Sequence, residues 1–210
     1  MTEAKSQAAV TAALLVIGDE ILSGRTKDKN IGYLAEYLTA LGIDLKEVRV
    51  VGDEEAEIVA AVNALRARYD YLFTTGGIGP THDDITAQSV AKAFGVPIDY
   101  DARAVAILKE RLAQTGAELN EARMRMTRIP AGADLVLNKV SGAPGFWLGN
   151  VIVLAGVPSI MQAMLDGVAP KLKTGVRILS ETVRADAREG DIGTPLGEIA
   201  KAHPEVAIGS

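Results

Sequence analysis

The stretch that decides the fold is Tyr69-Asp70-Tyr71-Leu72-Phe73 followed by Thr74-Thr75-Gly76-Gly77-Ile78-Gly79-Pro80-Thr81-His82-Asp83-Asp84-Ile85-Thr86. An apolar, strand-like segment empties into a glycine-rich loop, and the loop leads into a helix-like segment. That order aims several backbone N–H groups and the positive end of a helix dipole at one spot, which suits phosphate. No Gly-Lys-Ser/Thr follows at the spacing of a P-loop. Nor is this a dinucleotide fingerprint. Gly77 and Gly79 make a G-x-G, but His82 stands where the third glycine belongs, and Asp83-Asp84 at the helix start repel a pyrophosphate unless a cation intervenes. The sign of the charge therefore favours a metal-bridged phosphate.

Working outward, the neighbouring segments alternate in period. Residues 12–17 are a buried apolar run ending at Gly18, and residues 30–41 carry Ile31, Leu34, Leu38 and Leu41 on one helical face closed by Gly42. Residues 45–51 alternate like a strand, and residues 54–68 place Ile58, Val59, Val62 and Leu65 on a second helical face. The series β-α-β-α-β predicts a parallel sheet with right-handed crossovers.

Downstream, residues 85–94 read as a helix stopped by Gly95-Val96-Pro97. Residues 103–112 and 118–127, separated by Gly116, read as charged, partly exposed satellite helices. Residues 145–148 and 151–154 form a hairpin through Gly149-Asn150, and residues 159–168 form a helix beside Pro158. Residues 176–185 are strand-like, residues 191–202 helical, and Val206-Ala207-Ile208 opens another strand. The expected organisation is a disordered segment at 1–10, an α/β domain at 11–175, and at 176–210 the start of a C-terminal α/β extension that is cut short.

At 210 residues and 48% hydrophobic, the chain has room for one well-buried main domain. Lys plus Arg is 22 against 27 for Asp plus Glu, so the net charge is 22 − 27 = −5, which gives no footprint for nucleic acid. Cysteine is absent, which excludes disulfides, thiolate metal sites and cysteine nucleophiles. Residues 1–9 lack the pattern of a secretory signal, and no apolar run reaches the ~18 residues of a membrane span, so a soluble cytoplasmic protein is expected.

A second constellation is Gly18-Asp19-Glu20-Ile21-Leu22-Ser23-Gly24-Arg25-Thr26-Lys27-Asp28-Lys29-Asn30, which leaves the first strand and enters the first helix. In a parallel sheet it shares an edge with the Gly76 loop and faces a common crevice. Asp19, Glu20, Asp28, Asp83 and Asp84 are candidate oxygen ligands for Mg²⁺, which takes one or two carboxylates plus substrate phosphates. Arg25 and Lys27 are candidate phosphate cations, and Thr75, Thr81 and Thr86 accompany the glycines as phosphate-binding candidates. The alternative reading has Asp28 or Asp84 capping its helix and Lys27 and Lys29 on a solvated face. His82 is either a phosphate donor or proton carrier, or a bystander. A third candidate is Asn138 with Ser141-Gly142-Ala143-Pro144-Gly145-Phe146, whose small residues leave room for a ring. Phe146 or Trp147 would stack in a pocket or pack in the core. The Gly156-Val157-Pro158-Ser159 turn either offers N–H groups to an anion or is capped by Ser159.

Four motifs in this order carry a family resemblance: Gly18 to Gly24, Asp28-x-Asn30, the loop from Thr74 to Thr86, and Ala143-Pro144-Gly145-Phe146. Over residues 14–210 the chain resembles the molybdopterin-binding (MoaB/Mog-like) domain, and within it the N-terminal domain of competence/damage-inducible protein A, the CinA-like type. The resemblance implies a three-layer α/β/α fold with a mostly parallel sheet and a small helical and β-hairpin appendage. It also implies self-association as a dimer or trimer and a pocket for a pterin or nucleotide carrying phosphate. By the family pattern Asp84 matches the invariant acid, and Asp19, Glu20 and Asp28 match the acids across the crevice. The activity it implies is hydrolysis of a nucleotide diphosphate such as ADP-ribose, dependent on Mg²⁺, Mn²⁺ or Co²⁺. Adenylyl transfer to molybdopterin and non-catalytic pterin or nucleotide binding are the alternatives. Two positions depart from the pattern: Lys139 follows Asn138 where the family has proline, and Ile160 stands where it has glutamate. The amidohydrolase domain that follows in many such proteins lies outside these residues, so nicotinamide-nucleotide deamidation is not expected of them.

Overall fold

In the computed structural model, which describes residues 9–176 and 179–209, the elements in chain order are β1 (Val10–Ile17), α1 (Asp19–Leu22), α2 (Asn30–Ala40), β2 (Ile43–Val51), α3 (Glu55–Arg66), β3 (Tyr71–Thr75), α4 (Thr86–Phe94), β4 (Ile98–Tyr100), α5 (Ala102–Thr115), α6 (Glu121–Arg125), β5 (Arg128–Pro130), β6 (Asp134–Val136), β7 (Gly145–Leu148), β8 (Val151–Leu154), α7 (Pro158–Val168) and α8 (Glu189–Ala202). The alternation along β1 sets the layers. Ala12, Leu14 and Val16 enter one buried cluster, while Ala13, Leu15 and Ile17 enter the other. A strand buried on both faces needs helices on both, and its sequence reads as the continuous apolar run seen at residues 12–17.

On one face α2 and α7 supply Leu34, Leu38, Met161, Met164, Leu165 and Val168. On the other, α3 and α4 supply Ile58, Ala61, Val62, Leu65 and Val90. Each of these larger side chains contributes on the order of 1.5–3 kcal/mol by leaving water. The sheet order is β2-β1-β3-β8-β7-β6. The first four strands run parallel, and β7 and β6 are antiparallel additions. This is the expected three-layer α/β/α arrangement, with the β7–β8 hairpin where Gly149-Asn150 predicts it.

Between α4 and β6 the chain makes an excursion in which β4 and β5 pair antiparallel and frame α5 and α6. Here the expected helix at 118–127 is corrected. Its helical part is Glu121–Arg125, capped by Asn120, whose side chain accepts from the Arg123 N–H at 2.9 Å. Residues 128–130 leave it to pair with β4.

The described residues fall into two units that divide between 178 and 179. In the second unit α8 has no buried residue. The strand expected at 176–185 spans residues 177 and 178, which lie outside the described residues, and 176 and 179–185 form no strand. Val206-Ala207-Ile208 forms none either. Apolar runs become strands only where a ladder partner takes their N–H and C=O groups, and among the described residues no partner pairs with these. Of the expected disordered segment at 1–10, residues 1–8 lie outside the described residues, while Val10 opens β1.

Candidate functional site

β1 and β3 are parallel neighbours, yet the connection from β1 returns through α2 to β2 on the far side. The loops leaving their carboxyl ends therefore open a crevice at a topological switch point. The glycines of the second loop have distinct reasons to be there. Gly76 has φ +102°, and an added Cβ would lie 2.1 Å from the Ile17 carbonyl oxygen. Gly77 has φ +65°, and its Cβ would lie 2.1 Å from Thr86 Oγ1. At Gly79 the obstacle is a side chain, Asp84 Oδ2 at 2.7 Å.

Thr86 is the clamp of this loop. Its buried hydroxyl donates to Gly76 O at 3.0 Å and its N–H donates to Gly77 O at 3.0 Å. Asp84 does not cap α4. Its Oδ2 accepts from the N–H of Thr81 at 2.8 Å and from the Thr81 hydroxyl, which folds the loop around the carboxylate. His82 stands away from the crevice with its side chain 96% exposed, and its nearest acid is Asp83 at 4.0 Å. Asp83 is itself more than half exposed.

Across the crevice, the three acids of the sequence reading, Asp19, Glu20 and Asp28, separate by role. Asp28 Oδ1 accepts from the N–H groups of Asn30 at 3.0 Å and Ile31 at 2.7 Å, so it ties off the first turn of α2. Asp19 is joined to Asp53 at the end of β2: the Asp19 N–H donates to Asp53 Oδ2 at 2.9 Å, and the Asp53 N–H donates back to Asp19 Oδ1 at 3.4 Å. Burial pushes the Asp53 carboxyl above its ordinary value. The Asp19 N–H pulls it down, while the charges of Asp19, Glu20 and Asp83 push it further up. Glu20 folds back over Gly18, where an added Cβ would meet its carboxylate at 2.6 Å. No hydrogen bond or ion pair engages that carboxylate among the described residues. Asn30 Nδ2 donates to Gly156 O at 2.8 Å, which fixes its Oδ1 as the free end. That Oδ1 and the hydroxyl of Thr75 are buried without a partner among the described residues.

The third wall is the turn after β6. Asn138 organises it, donating from Nδ2 to Ala143 O at 2.7 Å and accepting at Oδ1 from the N–H groups of Val140 and Ser141. Gly142, at φ +77°, lies against Arg111 Cβ of α5, and the Arg111 guanidinium donates to Val140 O at 2.9 Å. Gly145 is a packing glycine inside the hairpin, with no room for a Cβ against Val153 O. Phe146 is core, and Trp147 packs edge-on against Tyr71. Ser159 does not cap α7, because Val157 occupies that place and Pro158 begins the helix.

Two cavities meet over the glycine loop. The larger, of 580 Å³, is lined by Glu20, Gly76, Gly77, Gly79 and Asp84 on one side and by Ser141, Ala143, Ile160 and Met164 on another. Its remaining wall is the excursion: Leu108 and Leu112 of α5, Arg123 of α6, and Met126. The smaller, of 240 Å³, is lined by Lys27, Asp28, Asn30 and Thr75. Glu20, Thr26, Gly76, Gly156 and Pro158 line both. Pro144 lies beneath the loop, in a small void that Arg125 also lines. Thus Gly76, Gly77, Gly79, Glu20, Asp84, Lys27, Asn30, Thr75 and Ala143 come together, whereas Arg25 is exposed and lines neither cavity. The sequence reading missed Leu108, Leu112, Arg123 and Met126. Their one advance signal is that Leu108 and Leu112 are four apart and share a helix face.

For a metal, the donor set is thin. Among the described residues no three His, Asp or Glu side chains are grouped to hold an ion. Glu20 and Asp84 line the same cleft, and Mg²⁺ takes one or two protein carboxylates with the rest from phosphate and water. The residues suit a metal that arrives with its phosphate, held by Glu20 and Asp84, rather than a resident ion. Among the described residues no helix is long and apolar enough to cross a membrane.

Comparison with known proteins shows the family and the fold. Residues 13–174 match the family model described as a probable molybdopterin binding domain. The CinA-like protein of Gemmatimonas aurantiaca is 36% identical over 201 residues, which cover 90% of this chain and 47% of that protein, so the chain spans less than half the length of this relative. The crystal structure of CinA from Thermoplasma acidophilum, a protein of unknown function, superposes with a TM-score of 0.71 at 33% identity, covering 78% of this chain and 98% of that one. The tungsten cofactor synthesizing protein MoaB from Pyrococcus furiosus shares the fold, with a TM-score of 0.52 at 19% identity over 78% of this chain and 92% of its own.

Proposed function

Because the chain belongs to the molybdopterin-binding domain family, as a MoaB/Mog-like domain of CinA-like type, we propose that its crevice binds a nucleotide or pterin phosphate and hydrolyses a nucleotide diphosphate such as ADP-ribose. The observation that carries this reading is the pair of cavities joined at Glu20 and Gly76. A two-ended ligand fits such a crevice with its phosphates crossing at the junction. Asn30 and Thr75 line the smaller cavity, and their side-chain oxygens are buried without partners among the described residues; the exocyclic amino group of an adenine, or the amino and ring N–H groups of a pterin, is the kind of donor such oxygens lack. The larger cavity takes the other end of the ligand.

At the junction the Glu20 carboxylate takes a proton from a water. The water oxygen bonds to phosphorus, the anhydride P–O bond breaks, and AMP and ribose 5-phosphate leave. The loop N–H groups stabilise the charge that develops on the phosphoryl oxygens. A divalent metal held by Glu20 and Asp84 would supply Lewis-acid polarisation of those oxygens.

The test is AMP release from ADP-ribose, followed by chromatography with and without Mg²⁺, Mn²⁺ or Co²⁺. We expect release by the native protein and a loss of about 10²-fold or more in Glu20→Gln and Asp84→Asn, each still folded, as removal of a general base or of a positioned charge gives. Release undiminished in both variants would refute the assignment. Without release, ATP consumption that requires added molybdopterin would point to adenylyl transfer, and affinity without turnover to a binding module.

A further inference from the structure

The cleft contains a cation that the neighbourhood of the sequence motifs does not reveal. Among the described residues lining the 580 Å³ cavity, the acids are Glu20 and Asp84, and Arg123 of α6 is the one cation. Arg123 has no ion-pair partner among the described residues, and its recorded side-chain hydrogen bond runs from Nη1 to the Glu118 carbonyl, leaving other guanidinium N–H groups uncommitted. Its neighbour Arg125, two positions on and so about 200° around the helix, points to the other side of α6. Arg125 lines the small void under the loop with Gly77, Gly79 and Asp84, and its guanidinium reaches the His82 carbonyl at 3.5 Å. α6 thus holds the back of the glycine loop with one arginine and presents the other to the cleft in front of it.

The arrangement is held from three directions. Asn120 caps α6 through the Arg123 N–H. β5 continues from α6 and pairs with β4. Arg111 of α5 fastens the excursion to Val140 O. The helix that carries Arg123 is thus held in place, and its guanidinium is tied by the one hydrogen bond from Nη1 to the Glu118 carbonyl, which reduces the freedom given up on binding.

We infer that Arg123 is a phosphate-binding, specificity-determining residue that selects doubly phosphorylated ligands, so that the excursion between β4 and β5 is part of the binding site. The inference rests on the functional reading above, in which phosphates lie against the glycine loop. Glu20 and Asp84 repel a bare phosphate on their side, and Arg123 faces it from the other, where it takes the phosphoryl oxygens turned away from those acids. Arg25 and Lys27, the sequence candidates for this charge, do not line this cavity.

The experiment compares native protein with Arg123→Ala and Arg123→Lys. KM and kcat for ADP-ribose are measured by AMP release, and the affinities for magnesium pyrophosphate and for adenosine by calorimetry. Loss of one charge-assisted hydrogen-bond donor corresponds to a weakening of about tenfold or more. We expect Arg123→Ala to raise KM and weaken pyrophosphate by that factor, Arg123→Lys to fall between, and adenosine affinity to stay constant in both. Unchanged KM and pyrophosphate affinity in folded Arg123→Ala overturns the assignment and leaves the functional reading standing. Equal losses for adenosine and pyrophosphate also overturn it, because they mean that Arg123 only packs the wall. If the native protein neither cleaves nor binds ADP-ribose, the functional reading fails. Arg123 is then judged by pyrophosphate alone, with binding lost in Arg123→Ala for it and binding retained, or absent from the native protein, against it.

Discussion

Replacing Gly79 by alanine moves Asp84 without changing any charge, and so separates the position of that carboxylate from its chemistry. Gly79 does not occupy the left-handed region, so alanine meets no backbone strain there. Its Cβ would lie 2.7 Å from Asp84 Oδ2, 3.0 Å from Oδ1 and 3.1 Å from Cγ, and ordinary contact begins near 3.4 Å. The carboxylate must therefore shift by about 0.7 Å, which disturbs the hydrogen bond that Oδ2 accepts from the Thr81 N–H at 2.8 Å. A lost hydrogen bond to a charged group costs about 1.5–3 kcal/mol. Asp84 is half-buried, so the lower end applies, and alanine offsets about 0.4–1 kcal/mol of it by restricting the unfolded chain. The net destabilisation is about 1 kcal/mol or less, which for a chain of this size is a fall in Tm of at most about 2–4 °C. Turnover responds far more, because misplacement of a reacting group by about 1 Å costs about 10²-fold. The assay is AMP release beside a thermal melt, with Gly24→Ala as the control. At Gly24 the added Cβ meets nothing within 4 Å but φ is +73°, so that variant loses about 1–2 kcal/mol to left-handed strain and keeps its turnover. Full turnover in folded Gly79→Ala would refute the argument that the glycine at 79 exists to seat Asp84.

Two further outcomes follow from the same geometry. Gly76→Ala combines a φ of +102° with a Cβ 2.1 Å from Ile17 O, so it should lose about 3 kcal/mol or more as strain and clash add, whereas Gly95→Ala at φ +67° in open space should lose only about 1–2 kcal/mol; equal melts for the two would show that β1 and the loop do not meet as described. Asp53, its carboxyl raised by burial and by the neighbouring acids, binds protons more readily folded than unfolded. Its contribution to stability is therefore present below the ordinary value of 3.8 and is lost as pH rises through the raised one. Asp53→Asn should gain stability relative to the native protein as pH rises from 3.8 towards neutral, and a gain that is the same in acid and at neutral pH would contradict the raised value.

Much of this fold was legible because its central strands are buried on both faces and announce themselves as apolar runs. Two of the helices that cover them stop at glycines, α2 just before Gly42 and α4 at Gly95 in the left-handed conformation. Between residues 98 and 136 the helix at 103–112 was legible, as α5 with its Gly116 cap, but the short strands were not, for a physical reason. β4, β5 and β6 are three residues long, too short to express a period of two, and Arg128-Ile129-Pro130 is a strand by virtue of its partner, Ile98–Tyr100. The crevice was legible as glycines and acids at strand ends, but the division of labour among the acids was not. Asp19 is tied to Asp53, which the sequence places 34 residues away, and Asp28 spends an oxygen on the N–H groups of its own helix. Proximity along the chain favoured Arg25 as the phosphate cation, while the cleft draws Arg123 from a distant excursion.

Ile160 narrows what the larger cavity accepts. It lines the cleft, half-buried, with Met164, Leu108, Leu112 and Met126, at the position where the family resemblance implies glutamate. An acid there would make a third carboxylate beside Glu20 and Asp84 and would favour a second cation in the cleft. With isoleucine that wall is apolar, and burying a charged phosphate against it is costly unless a partner is at hand. On the proposed function, the ligand's charge would therefore be confined to the strip between the glycine loop and Arg123. The part that enters further must be an uncharged ring or sugar face, which fits a nucleotide diphosphate with its anhydride at the junction better than a ligand with phosphate at both ends.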